Sequence, residues 1–114
     1  MKPYRFLKHT GWPLTLYIPG LPINGITLWP FIIVTMPQPS ASLMNHERIH
    51  IRQQAELLVF PFYLWYVTEY YWYRLSGYSA NAAYHAIRFE REAYQHERLL
   101  TYLSKRPFWG FLRF

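Results

Sequence analysis

The sequence of 114 residues contains no cysteine. A disulfide framework and a thiolate metal site are therefore excluded, and any metal ion has to be held by histidine or carboxylate side chains. Acidic residues are also few, since six Asp and Glu stand against twelve Lys and Arg and give a formal net charge of +6. This excess favours contact with acidic partners or anionic surfaces, but it carries no information about chemistry.

Long apolar runs are missing as well. The most apolar stretch, residues 57–68, ends at Glu69 and is shorter than the roughly 18 to 20 residues that a membrane-spanning helix needs. The first residues, from Met1 to Gly11, lack the uninterrupted apolar segment of a secretory signal. We therefore expect a cytoplasmic protein that can contact a membrane peripherally, and we do not expect nucleic acid as a partner.

The prolines divide the chain into two parts. Seven of the nine precede Ser40, and helices are disfavoured there because proline removes a backbone donor. Two runs of branched and aromatic residues between these prolines, residues 14–18 and 26–35, predict short strands. Pro30 interrupts the second run, so we expect that run to form an edge strand, where a missing donor is tolerated.

The second part of the chain has the start and stop signals of three helices. Ser40 or Ser42 can cap a first helix over about residues 43–60, a second helix follows to about Leu75, and a third runs over about residues 80–105. Strands followed by helices, without repeats or linkers, predict an α+β fold in a single domain that comprises residues 1–114.

Two histidines four residues apart carry the most specific chemical signal. His46, Glu47 and His50 lie in the predicted first helix, where a spacing of four puts both imidazoles on one face. Two histidines and one further protein ligand leave a zinc ion one open position for water, whose pKa zinc can bring to about 7. Glu47 is placed to take the proton of that water. The alternative is a chance match within an amphipathic helix that contains histidines.

The motif resembles that of the HExxH zinc metallopeptidases, in which the third ligand separates the branches. In the metzincin branch this ligand would be Glu56, reached through a turn at a glycine in position 53, whereas this chain has Gln53. A continuous helix rotates Glu56 by about 240° from His50. Glu56 is therefore not expected to reach the ion.

The gluzincin branch takes a glutamate from a later helix. Residues 90–94, Glu-Arg-Glu-Ala-Tyr, are similar to the Glu-x-x-Ala-Asp signature of the membrane-associated CAAX-prenyl-protease-like and HtpX-like gluzincins. The resemblance implies Glu90 as the third zinc ligand, a minimal zincin-like core, and hydrolysis of a peptide or protein substrate with Glu47 as general base. Tyr94 stands in place of the signature's Asp, and a tyrosine there could donate to a developing oxyanion. The strand over residues 26–35 would hold an extended peptide by edge pairing.

The neighbours of Glu90 give a separate reason to favour it. Ala83, Ala86 and Ala93 recur with Glu90 at spacings of three and four, so that they share one face of a continuous third helix. Every neighbour of the carboxylate on that face is small, which allows the close helix packing that a shared ion requires.

Other side chains remain alternative candidates for the third metal ligand, or take no part in the site. Glu92 lies about 200° round the helix from Glu90, and Glu97 lies two turns further along the same face. His85 and His96 are expected at the surface or at helix ends. In the remaining alternative the glutamates of this helix form a solvated charged face with Arg88, Arg91 and Arg98.

Aromatic residues make up 21% of the chain and concentrate in two segments. The run over residues 57–73 is apolar nearly all round, which predicts either a buried core helix or contact with a membrane interface. Residues 105–114 mix cations with aromatic rings, which suits an anchor at an anionic surface, stacking on nucleic acid, or a clasp packed on the domain. Both segments favour a rival hypothesis, a non-enzymatic, membrane- or partner-associated basic module with a structural metal.

Overall fold

A four-stranded sheet is formed by the proline-rich part of the chain. The computed structural model describes residues 14–114 and the backbone of residues 5–6. In the order of the sheet the strands are β1 (Arg5–Phe6), β2 (Leu14–Tyr17), β4 (Phe31–Val34) and β3 (Gly25–Leu28). β2 and β4 are parallel, while the other two pairs are antiparallel. The expectation that residues 1–11 do not form a secretory signal falls outside the described residues.

The prediction of one strand over residues 26–35 is wrong. The run forms a hairpin in which β3 pairs with β4, and Leu28 lies opposite Phe31. Trp29 and Pro30 make the turn between them, because proline has no N–H to donate to a ladder and its fixed φ suits a turn. Of the two strands of this hairpin, β3 lies at an edge of the sheet, as predicted, and β4 lies inside it.

The first two helices agree with the sequence signals. α1 (Ala41–Glu56) begins at Ser40, whose side chain accepts a hydrogen bond of 3.0 Å from the backbone of Leu43. α2 (Phe60–Leu75) has a proline in its first turn and ends before Gly77, which adopts a φ of +102°. Residues with side chains rarely adopt this value, so glycine favours the end of the helix here. The strands and helices together confirm the α+β class.

The prediction of a single third helix over residues 80–105 is wrong. The chain forms α3 (Ala80–Ala86), α4 (Arg88–His96), α5 (Tyr102–Lys105) and a 3-10 turn (Gly110–Arg113). α3 and α4 are separated by Ile87, which is extended and fully buried.

Side chains from other elements stabilise both interruptions of the predicted helix. Oε1 of Glu69 accepts a hydrogen bond of 2.8 Å from the free backbone N–H of Arg88, at the start of α4. At the end of α4, Nδ2 of Asn45 lies 2.9 to 3.1 Å from three backbone carbonyl oxygens, those of His96, Glu97 and Leu99. The small residues beside Glu90 therefore belong to two helices and do not form one continuous face.

Two clusters of buried side chains form the core. One joins α1 to the sheet through Ile32, Val34, Met44 and Ile51. The other joins α2 and α4 to the last segment through Leu57, Phe62, Ile87, Phe89 and Phe111. The two helices that carry the candidate site are each anchored in one cluster, α1 in the first through Met44 and Ile51 and α4 in the second through Phe89.

The aromatic segments pack differently from one another. Phe62 is the one buried residue of α2, whose other side presents large apolar side chains to solvent, so the expectation of a helix buried all round is wrong. Residues 105–114 follow the clasp alternative, because Arg106 and Phe111 are buried in the domain. None of the described helices has the length and apolar character needed to cross a membrane.

Candidate metal centre

Three side chains from two helices, those expected to be zinc ligands, converge at one point. Nε2 of His46 and Nε2 of His50 lie 3.2 Å apart, and each lies 3.1 Å from Oε1 of Glu90. α1 contributes both histidines from adjacent turns of one face, and α4 contributes the glutamate. All three residues are buried, with 4 to 5% of their surface exposed.

The three atoms are spaced as zinc ligands are. Zinc holds nitrogen and oxygen ligands in a tetrahedron at about 2.0–2.2 Å, so two corners of that tetrahedron lie about 3.3 Å apart. The three distances of 3.1, 3.1 and 3.2 Å are close to this edge length. The donor set of two imidazoles and a carboxylate is also one that zinc prefers, so the residues fit the ion.

Hydrogen bonds on the far side of each imidazole decide which nitrogen carries the proton. Nδ1 of His46 lies 2.9 Å from Oε1 of Glu97, and Nδ1 of His50 lies 2.8 Å from Oε1 of Gln53. Both oxygens accept, so Nδ1 donates and Nε2 keeps its lone pair in the neutral ring. Two lone pairs and a carboxylate oxygen then meet without a hydrogen atom between them, which is unfavourable unless a cation fills the space.

The electrostatics of the cluster favour positive charge. Burial lowers the pKa of His50, but the charges of Glu90 and Glu47 and the hydrogen bonds to Glu90 and Gln53 together outweigh burial and raise that pKa to about 9. Burial raises the pKa of Glu90, and the charge of His50 with hydrogen bonds from both histidines more than offsets it, so this pKa lies well below its usual range. A proton on His50 thus occupies the position that a bound metal ion would otherwise fill.

Each of the three candidate ligands has a second hydrogen-bond partner that orients it. Glu97 and Gln53 hold the two histidines, and the hydroxyl group of Tyr66 donates to Oε2 of Glu90 at 2.7 Å. Such partners fix ring orientation and ligand basicity in metal sites. Sequence reasoning missed two of them. Gln53 lies three residues after His50 on the same helix face and could have been found by its spacing, whereas nothing in the apolar run singles out Tyr66.

Glu47, the predicted general base, is held by β3. Oγ1 of Thr27 donates to Oε1 of Glu47 at 2.7 Å and lies 3.1 Å from the backbone carbonyl of Glu47. A Cβ atom at Gly25 would lie 3.3 Å from Oε2 of Glu47. Glycine at this position therefore leaves room for the second carboxylate oxygen beside the edge strand.

Tyr94 lies at the rim of the cluster. Its ring centroid is 4.5 Å from that of His46 in an edge-on arrangement, and its hydroxyl group lies 3.0 Å from the hydroxyl group of Tyr84. Burial is the main cause that raises the pKa of both phenols. Both therefore remain protonated at neutral pH and can donate a hydrogen bond.

A cleft of about 1080 Å³ contains the cluster. Residues of β3 line it together with tyrosines of the helices, namely Tyr63, Tyr66, Tyr84 and Tyr94. This volume is slightly larger than the usual range for small-molecule pockets, about 300–1,000 Å³. The cleft is therefore large enough for several residues of an extended chain.

The other candidate glutamates lie away from the three converging atoms. Glu97 contacts the far nitrogen of His46, and Glu56 forms an ion pair of 2.8 Å with Arg106. Glu92 points away from Glu90, as predicted, but it is fully buried. The alternative of a solvated glutamate face is therefore wrong for Glu90 and Glu92.

His85 and His96 also take no part in the cluster. Nδ1 of His85 lies 2.9 Å from the carbonyl oxygen of Asn81 in an exposed part of α3. His96 stacks on Tyr102 with ring centroids 3.9 Å apart.

Searches against protein-family models, curated proteins and solved structures found no match to this chain. The similarity to gluzincins accordingly depends on the residues of the two helical motifs. A functional assignment has to come from the chemistry of the cleft itself.

Proposed function

We propose that this protein is a zinc-dependent metallopeptidase of the gluzincin type. The observation that carries the proposal is the meeting of Nε2 of His46, Nε2 of His50 and Oε1 of Glu90 within 3.2 Å of one another. The far side of each ligand is already hydrogen-bonded, so these three atoms are the ones left to hold an ion.

The residues around the cluster suit peptide hydrolysis. A bound zinc ion supplies Lewis acidity and lowers the pKa of water. Glu47 is the group that accepts a proton in the cleft, and the hydroxyl group of Thr27 keeps its carboxylate in place. Tyr94 can donate a hydrogen bond to an oxygen that gains negative charge during the reaction.

The edge strand supports an extended peptide as substrate. β3 lines the cleft and is paired on one side with β4. Its other side can add a peptide strand only before the carbonyl of Thr27, because Gln54 already bonds to that carbonyl and to the N–H of Trp29. Main-chain hydrogen bonds of this kind need no particular side chains. Glu47 is bonded to Thr27 in the middle of β3, so a peptide bound there would pass beside the base.

Metal analysis tests the first half of this proposal. Purified protein is expected to hold about one zinc ion per chain, and His46→Ala and His50→Ala are expected to lose it. His85→Ala is the matched control, since His85 is exposed and outside the cluster, and it should keep the ion. Wild-type protein that neither contains zinc nor takes up added zinc would disprove the proposal.

Turnover tests the second half. Zinc-loaded protein is incubated with a peptide mixture from digested casein, and new termini are identified by mass spectrometry. Glu47→Gln should abolish cleavage and retain zinc, because the amide cannot accept the proton while the ligands are unchanged. Cleavage at the wild-type rate by this variant would rule out the mechanism.

A second candidate function, attachment to an anionic membrane interface, is favoured by the outward face of α2. Phe60, Leu64, Val67, Tyr71 and Leu75 are exposed and recur at spacings of three and four along this helix. Such a stripe, in a chain of net charge +6, suits a surface where apolar and anionic groups meet. In this candidate the metal ion would only join α1 to α4.

Sedimentation with phosphatidylcholine vesicles, with and without phosphatidylglycerol, tests this second candidate. Leu64→Ser combined with Leu75→Ser should reduce binding to the anionic vesicles. Leu99→Ser combined with Leu100→Ser is the matched control, because these exposed leucines lie outside α2. A lack of binding by the wild-type protein to both kinds of vesicle would exclude this candidate.

A further inference from the structure

A buried ion pair outside the candidate metal centre has no role in the proposed reaction. Nε of Arg106 donates to Oε2 of Glu92, and Nη2 of Arg106 donates to Oε1 of Glu92 at 3.2 Å. The hydroxyl group of Tyr102 donates to the same glutamate at 2.6 Å. The Glu92 side chain is fully buried, and a buried charge is retained only where its partners are held in place.

One residue connects this ion pair to the metal centre. Nε2 of Gln53 donates to Oε1 of Glu92 at 2.9 Å and to the backbone carbonyl of Phe89 at 3.1 Å. Both of these oxygens can only accept, so the amide nitrogen of Gln53 has to face them. Oε1 of Gln53 is therefore turned towards Nδ1 of His50, 2.8 Å away.

The orientation of the Gln53 amide decides which nitrogen of His50 is free. With Oε1 towards the ring, Nδ1 donates and the lone pair of Nε2 faces Glu90. A flipped amide would present its NH₂ group to Nδ1, which would then have to accept. The proton of the neutral ring would move to Nε2, the atom that has to bind the ion.

The geometry points to Glu92 and Arg106 as positioning residues for the metal centre, which act through Gln53 on the tautomer and orientation of His50. Arg106 donates to both oxygens of Glu92 and Tyr102 donates to one of them, so the oxygen that faces Gln53 is held as an acceptor. The C-terminal clasp thereby sets metal affinity although it contributes no ligand. This inference rests on the metal centre of the proposed function and does not depend on hydrolysis.

Zinc affinity, measured by competition with a chelator, is the first readout. A glutamine at position 92 can donate as well as accept, so Glu92→Gln should weaken zinc binding about 10- to 100-fold. Arg106→Gln should weaken it in the same direction, and Arg106→Lys should restore part of the loss because lysine keeps the positive charge. Glu69→Gln is the matched control, since Glu69 is also bonded to an arginine, Arg88, and it should change affinity less than about threefold.

The ring N–H protons of the cobalt-substituted protein give a second readout, independent of activity. Proton NMR should show one exchangeable, paramagnetically shifted signal from Nδ1 of His50 and one from Nδ1 of His46. Glu92→Gln should speed the solvent exchange of the His50 proton and leave that of His46, which is bonded to Glu97, unchanged. Glu97→Gln should speed the exchange of the His46 proton and leave that of His50 unchanged, which assigns the two signals. A general loss of stability would instead speed the exchange of both ring protons.

The outcomes separate this inference from the proposed function. Wild-type protein that binds neither zinc nor cobalt would overturn both. Wild-type protein that binds the metal, together with unchanged affinity and N–H exchange in Glu92→Gln, would overturn the positioning role alone. If Arg106→Gln does not fold, Glu92→Gln and Arg106→Lys decide the matter.

Discussion

The hydroxyl group of Tyr66 donates a hydrogen bond of 2.7 Å to Oε2 of Glu90. This bond crosses from α2 to α4 and fixes the carboxylate so that Oε1 faces the two histidines. Burial is the main cause that raises the pKa of Tyr66, and the Glu90 charge adds to it, so the phenol remains protonated at neutral pH and can donate. The proposed third ligand is thus held by a residue from outside both motif helices.

Tyr66→Phe is expected to weaken zinc binding about tenfold, because Glu90 loses the donor that orients it. Chelator competition measures the change. Tyr63→Phe is the matched control from the same helix, since the Tyr63 hydroxyl donates to Gln54 over 3.4 Å and contacts no ligand. Equal affinities in the two variants would show that this bond does not orient the carboxylate.

Glu90→Gln should weaken zinc binding by more than the roughly 10- to 100-fold that hydrogen-bond partners of ligands contribute. An amide brings neither the charge nor the basicity of the carboxylate. Glu97→Gln should cause a smaller loss, because Glu97 bonds to the far nitrogen of His46. Zinc titration of both variants ranks them, and the reverse order would make Glu97 the ligand.

Thr27→Val should lower the rate of peptide cleavage about 10- to 100-fold and leave the zinc content unchanged. The substitution removes the 2.7 Å bond to Oε1 of Glu47 and keeps the shape of the side chain. Thr35→Val is the control, because the Thr35 hydroxyl bonds to the carbonyl of Ile23 and not to Glu47. Loss of zinc in Thr27→Val would mean that Thr27 stabilises the metal centre and does not position a base.

Phe111→Ala should lower the free energy of unfolding by about 3 to 5 kcal/mol, the usual cost of deleting a fully buried ring. Phe111 is 0% exposed and packs against Phe89 and Trp65. Phe108 is 74% exposed, so Phe108→Ala should change that free energy by less than about 0.5 kcal/mol. Urea unfolding measures both, and a similar small effect in the two variants would show that residues 105–114 do not form a clasp.

The early helices could be predicted from the sequence because their signals are local. Ser40 caps α1 and Gly77 follows the end of α2 through contacts within a few residues. The break at Ile87 could not be predicted in this way. It depends on a buried side chain and on Glu69, which accepts from the backbone of Arg88 across 19 residues.

The histidine pair was likewise determined by the sequence, since a spacing of four on any helix puts His46 and His50 side by side. The choice of Glu90 came from resemblance to a family signature, and only the packing of α4 on α1 brings its carboxylate within 3.1 Å of both rings. The tertiary structure alone decided which partners hold these candidate ligands. Tyr66, Gln53 and Arg106 are ordinary core or tail residues in the sequence, and they acquire their roles because buried polar groups have to find partners wherever the fold brings an acceptor near a donor.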